Sequence, residues 1–403
     1  MHPALVLAAI ALIAIKLDPR FVLGLLVLLT LIYGKKRGFS LKLRNVTEDE
    51  SYFNAFLFST ILSALSCFSL PKDVVFASIF LISVHNYRKN ALWNIAVYTT
   101  ASLLYFLCYH AVNGVELRLA HTFFISLSGG LTAALVESVD TNADRRLTLL
   151  LAISSVFTIF KMYVPSASIY SLAFAFLLSF FVSLLALYAK VADESGLMSA
   201  TIVGTTLILF ADIRFFAVIL LFYALGSAIT KYKYSVKLER GIAEQAGGAR
   251  GYANVFGNSL APLFFAVQFG VSGDAVFAAA FVAAVAAALA DTMASEIGKA
   301  EEKVYLITNF SRVEPGTSGG ISVKGELAAL FGCIVTALLS LLLGIIGFDV
   351  LLPVTLSAFA GVHIDSLLGA TLEKKGYLTN SAVNFLGTLS AGIICVLLLL
   401  PLL

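Results

Sequence analysis

Apolar residues come in long unbroken runs separated by short polar turns, a pattern that predicts membrane-crossing helices. The runs cover residues 5–15, 21–33, 52–70, 74–84, 92–112, 119–136, 147–163 and 168–189. A second series covers 198–210, 215–230, 255–270, 276–298, 327–346, 350–372 and 382–402. A helix needs about 20 residues to cross a hydrocarbon core of about 30 Å, so most of these runs span and the shortest enter part-way. The predicted class is all-α, a polytopic transmembrane helix bundle of about 12–15 helices.

Composition agrees. Hydrophobic residues make up 60% of the 403 and charged residues 13%, against roughly a quarter charged in soluble domains. So few charges cannot cover a soluble surface of this size. The net charge of +3, with no basic stretch interleaved with aromatics, gives no reason to expect a nucleic-acid partner. Cys67, Cys108, Cys333 and Cys395 lie in apolar segments without CxxC spacing and read as small helix hydrophobes. The start, Met1-His2-Pro3, has no basic region ahead of the first apolar run, so no cleavable signal is expected.

Three hydrophilic stretches, 34–50, 231–250 and 299–324, hold much of the lysine and arginine. Short basic loops stay on the cytoplasmic side, which places all three there. Composition also shifts near residues 190–195. Leu- and Phe-rich segments precede it, and glycine, alanine and polar residues inside apolar runs follow. The expected organisation is an accessory transmembrane region over 1–193 and a working domain over 194–403.

Polar residues within that second domain carry the chemistry. An ionisable group costs about 2.5–3.5 kcal/mol at a membrane-helix centre, so such groups face a cavity or a partner. At 100° per residue, Asp291, Thr292, Ser295, Glu296 and Lys299 share an arc of roughly 140°. An internal Glu296–Lys299 ion pair explains part of this arc but leaves Asp291 and both hydroxyls over. Further on, Glu314-Pro315-Gly316-Thr317-Ser318-Gly319-Gly320 offers backbone N–H groups that can converge on an anion, ahead of a helix start near Gly325-Glu326. It is not a Walker A loop, and taken alone it reads first as an ordinary glycine turn; its place just after the Asp291 helix favours the functional reading. Arg250, Asn254 and Asn258 recur at four-residue spacing, as do Asn380, Asn384 and Thr388, and Asp365-Ser366 precedes Gly369. Amides in membrane helices also serve as interhelical glue. Together these groups offer carboxylates for Mg²⁺ and donors for phosphate oxygens. None of the histidines, His2, His85, His110, His121 and His363, shows a zinc-ligand spacing, and His363 stands two residues before Asp365 as a supporting group.

Several motifs fall in order: Ser195-Gly196-Leu197, ADTMASEIG from Ala290, Leu306-Ile307-Thr308, PGTSGGIS from Pro315, DSLLGA from Asp365 and VNFL from Val383. Through them the chain, from about residue 194 onward, resembles the membrane family known as domain-of-unknown-function family 92. That family includes plant phytyl-phosphate kinases and animal transmembrane protein 19. Asn254 departs from the resemblance, which implies glutamine there, while Asn258 fits. The family is in turn distantly similar to phytol and dolichol kinases, whose acidic and glycine blocks look like the Asp291, Thr317 to Gly320 and Asp365 regions. In the first half, Leu135 to Asp140 with Asn142 and Leu147 is a faint echo of the kinase tail, read as a decayed copy or an accessory bundle.

The resemblance implies a nucleotide-dependent isoprenyl-phosphate kinase in the cell membrane, active on the cytoplasmic side. An isoprenyl monophosphate is the expected lipid partner, CTP or ATP the phosphoryl donor and Mg²⁺ the cofactor. Asp291, Glu296 and Asp365 are assigned to the metal, with Lys299 beside them as a catalytic cation. Arg250, Asn254, Asn258, Asn384, Thr317, Ser318, Gly319 and Gly320 are assigned to phosphate or nucleotide. An isoprenol kinase, a CDP-lipid-forming cytidylyltransferase and a membrane transporter stay open as alternatives.

Overall fold

The computed structural model describes residues 2–37, 41–84, 91–138, 142–163, 168–244 and 249–400. His85, the Val139-Asp140 part of the first-half echo and positions 245–248 of the second basic stretch lie outside the described residues. The chain divides into two compact units, Met1–Ala173 and Phe174–Leu403.

The first unit holds α1 (Pro3–Ile13), α2 (Pro19–Arg37), α3 (Glu48–Ser66), α4 (Lys72–Ser83), α5 (Ala91–Asn113), α6 (Leu119–Ser138) and α7 (Arg145–Tyr163). Thr47 and Glu50 form a reciprocal capping box that starts α3. Buried Asp144 accepts hydrogen bonds from Ser51 and Asn54, both at 2.7 Å, which ties the start of α7 to α3. Of the kinase-like echo, Glu137 is bound by Arg145 and by the Tyr98 hydroxyl.

The second unit takes most of α8 (Ile169–Tyr188), then α9 (Glu194–Phe210), α10 (Ile213–Thr230), the short α11 (Tyr234–Glu239), α12 (Tyr252–Ser272) and α13 (Ala275–Gly298). After α13 come β1 (Val304–Leu306), β2 (Arg312–Val313), β3 (Gly320–Ile321), α14 (Val323–Leu342), α15 (Leu351–Leu368) and α16 (Asn380–Leu399). The strands form a small antiparallel sheet in the order β2-β1-β3, with Tyr305 opposite Arg312 on one side and Ile321 on the other. The sheet is an addition to the all-α expectation, because strands of two or three residues carry no periodic signal. Among the described residues nine helices are long and apolar enough to cross a membrane. Each apolar run of the sequence falls on one helix, and the molecule is a polytopic helical bundle.

Helix α13 is the axis of the second unit. It packs against α10, α12, α14, α15 and α16, and Ala278 to Ala290 are almost wholly buried. Alanine suits this place because lipid supplies no hydrophobic drive between helices, so small side chains that admit close backbones give the packing. The polar end of α13 therefore emerges in the middle of the bundle's end, ringed by its neighbours.

Candidate functional site

The second basic stretch folds back onto that end. Lys237, on α11, is 0% exposed, and Glu296, on α13, is 3% exposed. The Lys237 ammonium donates to Glu296 Oε2 and, at 2.6 Å, to the carbonyl that ends α10 at Thr230. Lys299 donates to Glu296 Oε1 at 2.8 Å and to Glu244 Oε1 at 2.6 Å. Arg240 donates to the carbonyls of Lys299 and Glu301, both at 2.8 Å, and satisfies the C-terminal end of α13. Burial opposes the charge on Lys299, but the Glu296 and Glu244 carboxylates outweigh it and hold the ammonium above the ordinary lysine value. At Glu244 burial acts to raise the carboxyl, and the charge and hydrogen bond of Lys299 outweigh it and hold the group below its ordinary value.

Arg250 arrives from outside the helix whose stripe it was expected to join. Helix α12 begins at Tyr252, so only Asn254 and Asn258 are helical members. The arginine is instead clasped by the turn before α9. Its N–H donates to the Val191 carbonyl at 2.9 Å, and the Tyr252 N–H donates to Ser195 Oγ at 2.9 Å. Asp193, the N-cap of α9, accepts from Ser195 Oγ and Gly196 N. The Ser195-Gly196 motif thus positions Arg250 from outside the polar cavity. The guanidinium lies 5.0 Å from the Phe222 ring centre and 5.6 Å from that of Tyr223, and donates to Asn254 Oδ1 at 3.1 Å. Gly226 leaves the room for it, since a Cβ there would stand 2.5 Å from Arg250 Nη2. Burial lowers the arginine's pKa, and the aromatic faces offset part of that desolvation.

The glycine loop hangs from the small sheet. The N–H groups of Thr317 and Gly320 close the turn onto the carbonyls of Glu314 and Thr317. Those of Ser318 and Gly319 make no hydrogen bond among the described residues, which leaves two donors in a nest fit for an anion. Gly319 has φ +75°, and a Cβ on it would stand 2.5 Å from both the Ser366 carbonyl and the Ala370 Cβ. Only glycine meets both demands, so the loop is seated directly on the DSLLGA segment. Gly319→Val should therefore unseat the loop and cut any phosphate-dependent activity at least about 100-fold, the size of losing one oriented donor. Gly316→Ala, at a second left-handed position facing Ile242 instead, should cost less. Steady-state kinetics of the two variants checks the ranking.

Opposite the loop, Asp291 and Asp365 approach within hydrogen-bonding reach of each other, with the Glu373 carboxylate near enough to act on both. The end of α15 widens into a π turn, Gly369–Glu373, which brings Glu373 round to this side. Among the described residues no lysine, arginine or histidine pairs with either aspartate. Lys299, whose charge reaches Asp291, is held by Glu296 and Glu244. The structure separates Glu296 from the metal set expected of Asp291, Glu296 and Asp365: both of its oxygens are turned to lysines. No three His, Cys, Asp or Glu side chains among the described residues are gathered to hold an ion.

These groups surround one cavity of about 580 Å³ at the end of the bundle. Asp291, Glu296, Lys299 and Asp365 line it, as do Arg250, Asn254 and Asn384 and the loop residues Thr317, Ser318, Gly319 and Gly320. Asn258 does not reach it. It lies deeper, in a narrow crevice shared with Asp291, Asp365 and Asn384, its amide donating to the Asn254 carbonyl. His363 stands behind the cavity and contacts lining residue Glu326 at 3.2 Å. Sequence reasoning missed Lys237, Glu244, Glu326 and Glu373. Lys237 looked like a topology signal in its basic stretch, and the three glutamates belong to no helical stripe.

Fold and cavity define a polytopic helical membrane protein with a buried acidic and basic site at one end of its second unit. The family model described as Integral membrane protein DUF92 matches residues 177–392, and the chain belongs to that family. It is 36% identical over 180 residues to an uncharacterized membrane protein of Synechocystis sp., covering 43% of this chain and 70% of that one. An uncharacterized membrane protein of Methanocaldococcus jannaschii is 32% identical over 212 residues, 52% of this chain and 87% of its own. Protein VTE6, chloroplastic, of Arabidopsis thaliana is 31% identical over 216 residues, 51% of this chain and 65% of its own. No solved structure matches the chain with significance.

Proposed function

We propose that this protein is a Mg²⁺-dependent phosphotransferase that converts an isoprenyl monophosphate into the diphosphate, with a nucleoside triphosphate as donor. The observation that carries the reading is the Asp291–Asp365 pair: two half-buried carboxylates on the cavity wall face each other without a basic partner among the described residues, beside an open glycine nest. Like charges held this close repel, and a divalent cation between them relieves that. Mg²⁺ prefers one or two carboxylates completed by phosphate oxygens, so Asp291 and Asp365 fit as its protein ligands, with Glu373 beside them. When bound, the ion neutralises charge on the phosphoryl group in transit.

The remaining groups supply positioning. Ser318 and Gly319 N–H groups would hold donor phosphate oxygens, and Arg250 and Lys299 would draw the two anions together. Glu296 and Lys237 act through Lys299, by holding it in place. In the transfer, an oxygen of the acceptor phosphate bonds to the γ-phosphorus as the bond from that phosphorus to the nucleoside diphosphate breaks. No general base is needed, because a phosphate monoester with a second pKa near about 6 is already largely ionised at neutral pH. The isoprenoid acceptor and the preference for CTP rest on the family resemblance. The cytoplasmic placement rests on the second and third basic stretches, which meet at this end of the second unit.

The test is incubation of purified protein with Mg²⁺, CTP or ATP, and isoprenols and isoprenyl phosphates of graded length. A lipid diphosphate with release of nucleoside diphosphate is expected. Pyrophosphate release would identify a cytidylyltransferase instead, and solute flux in proteoliposomes without nucleotide turnover a transporter.

A further inference from the structure

We infer that an apolar groove between α8, α9 and α10 holds the hydrocarbon tail of the lipid whose anionic head enters the polar cavity. The inference rests on the proposed function for the head and adds where the tail goes.

The groove has a volume of about 480 Å³ and is walled by Val182 and Ala186 of α8, Ala200 and Val203 of α9, and Phe216 and Ala224 of α10. From Phe216 to Lys231 it follows fifteen residues of rise, roughly 22 Å, more than one leaflet's half of the hydrocarbon core. Its charged lining residues are both cations, Lys231 and Arg250, and they stand at the end nearest the cavity. Arg250 also lines the polar cavity, so one residue borders the apolar and the polar space. Tyr223 lines the groove while its ring sits beside the Arg250 guanidinium. A ligand with a long apolar chain joined to a compact anion matches this sequence of surfaces. A neutral lipid would leave Arg250 and Lys231 without a counter-charge, and a free nucleotide would leave the apolar walls bare.

The experiment uses the full chain in detergent, with a twenty-carbon prenyl monophosphate carrying a diazirine at the tail end. Ala224 is exposed and Ala186 half-buried, so Ala224→Phe and Ala186→Phe put bulk into the groove rather than the core. Photolabelling should fall on α8, α9 and α10, and each variant should weaken it about ten-fold, the effect of a few misplaced methylenes. KM for the long-chain acceptor should rise about ten-fold in both variants, while kcat and KM for a five-carbon isoprenyl phosphate stay at the wild-type values. Labelling on other helices with transfer intact would overturn the groove and leave the kinase reading standing. Equal displacement of the probe by an uncharged isoprenol or a zwitterionic phospholipid would overturn it as well. Groove labelling with no transfer to any acceptor would support the tail site and sink the kinase reading instead.

Discussion

Asp291→Asn is expected to lower phosphoryl transfer at least about 1000-fold while leaving the protein folded. Asparagine keeps the shape of the side chain and removes one of the two half-buried carboxylates that face each other. Without metal the variant should be at least as resistant to heat as the wild type, because a like-charge contact is gone. The wild type should gain stability as Mg²⁺ is added, about 2.7 kcal/mol at a hundred times the dissociation constant, and the variant should gain little. Thermal unfolding in detergent with and without Mg²⁺ reads the second effect independently of any substrate. A variant that keeps both turnover and metal-dependent stabilisation would remove the carboxylate pair from the site.

Glu296→Leu tests the lysine cage. It leaves Lys237, which is fully buried, with only a backbone carbonyl for its charge. Breaking one side of a buried pair costs about 3–5 kcal/mol, mostly the penalty of the stranded partner. The double variant Lys237→Met/Glu296→Leu should recover most of that loss, since two apolar side chains of similar volume replace the pair. Its stability should approach the wild type while transfer stays low, because Lys299 has lost its Glu296 anchor. A silent single substitution would show that the cage carries no load.

How far these groups could be read beforehand depends on what each one answers to. The polar arc of α13 was legible because a helix has a period, and five residues from Asp291 to Lys299 cannot share one face by accident of spacing. The same logic failed at Arg250. Its four-residue offset from Asn254 looked helical, yet the chain reaches that place by a loop pinned at Val191 and Ser195. Assigning Glu296 to the metal failed for another reason. Carboxylates on one face look alike in sequence, and only the fold shows that α11 delivers Lys237 to one and α15 delivers Asp365 to the other.

The sequence by itself determined where the helices run, that they belong in a membrane, and which half gathers polar residues inside its apolar runs. Lipid permits no unpaired backbone and few charges, so each span must announce itself as an apolar run and each intrusion as a polar residue out of place. Tertiary structure alone decided which charges meet: the lysines around Glu296, the facing aspartates, and Arg250 between two cavities. Such meetings join residues far apart in the chain, and no local period encodes them.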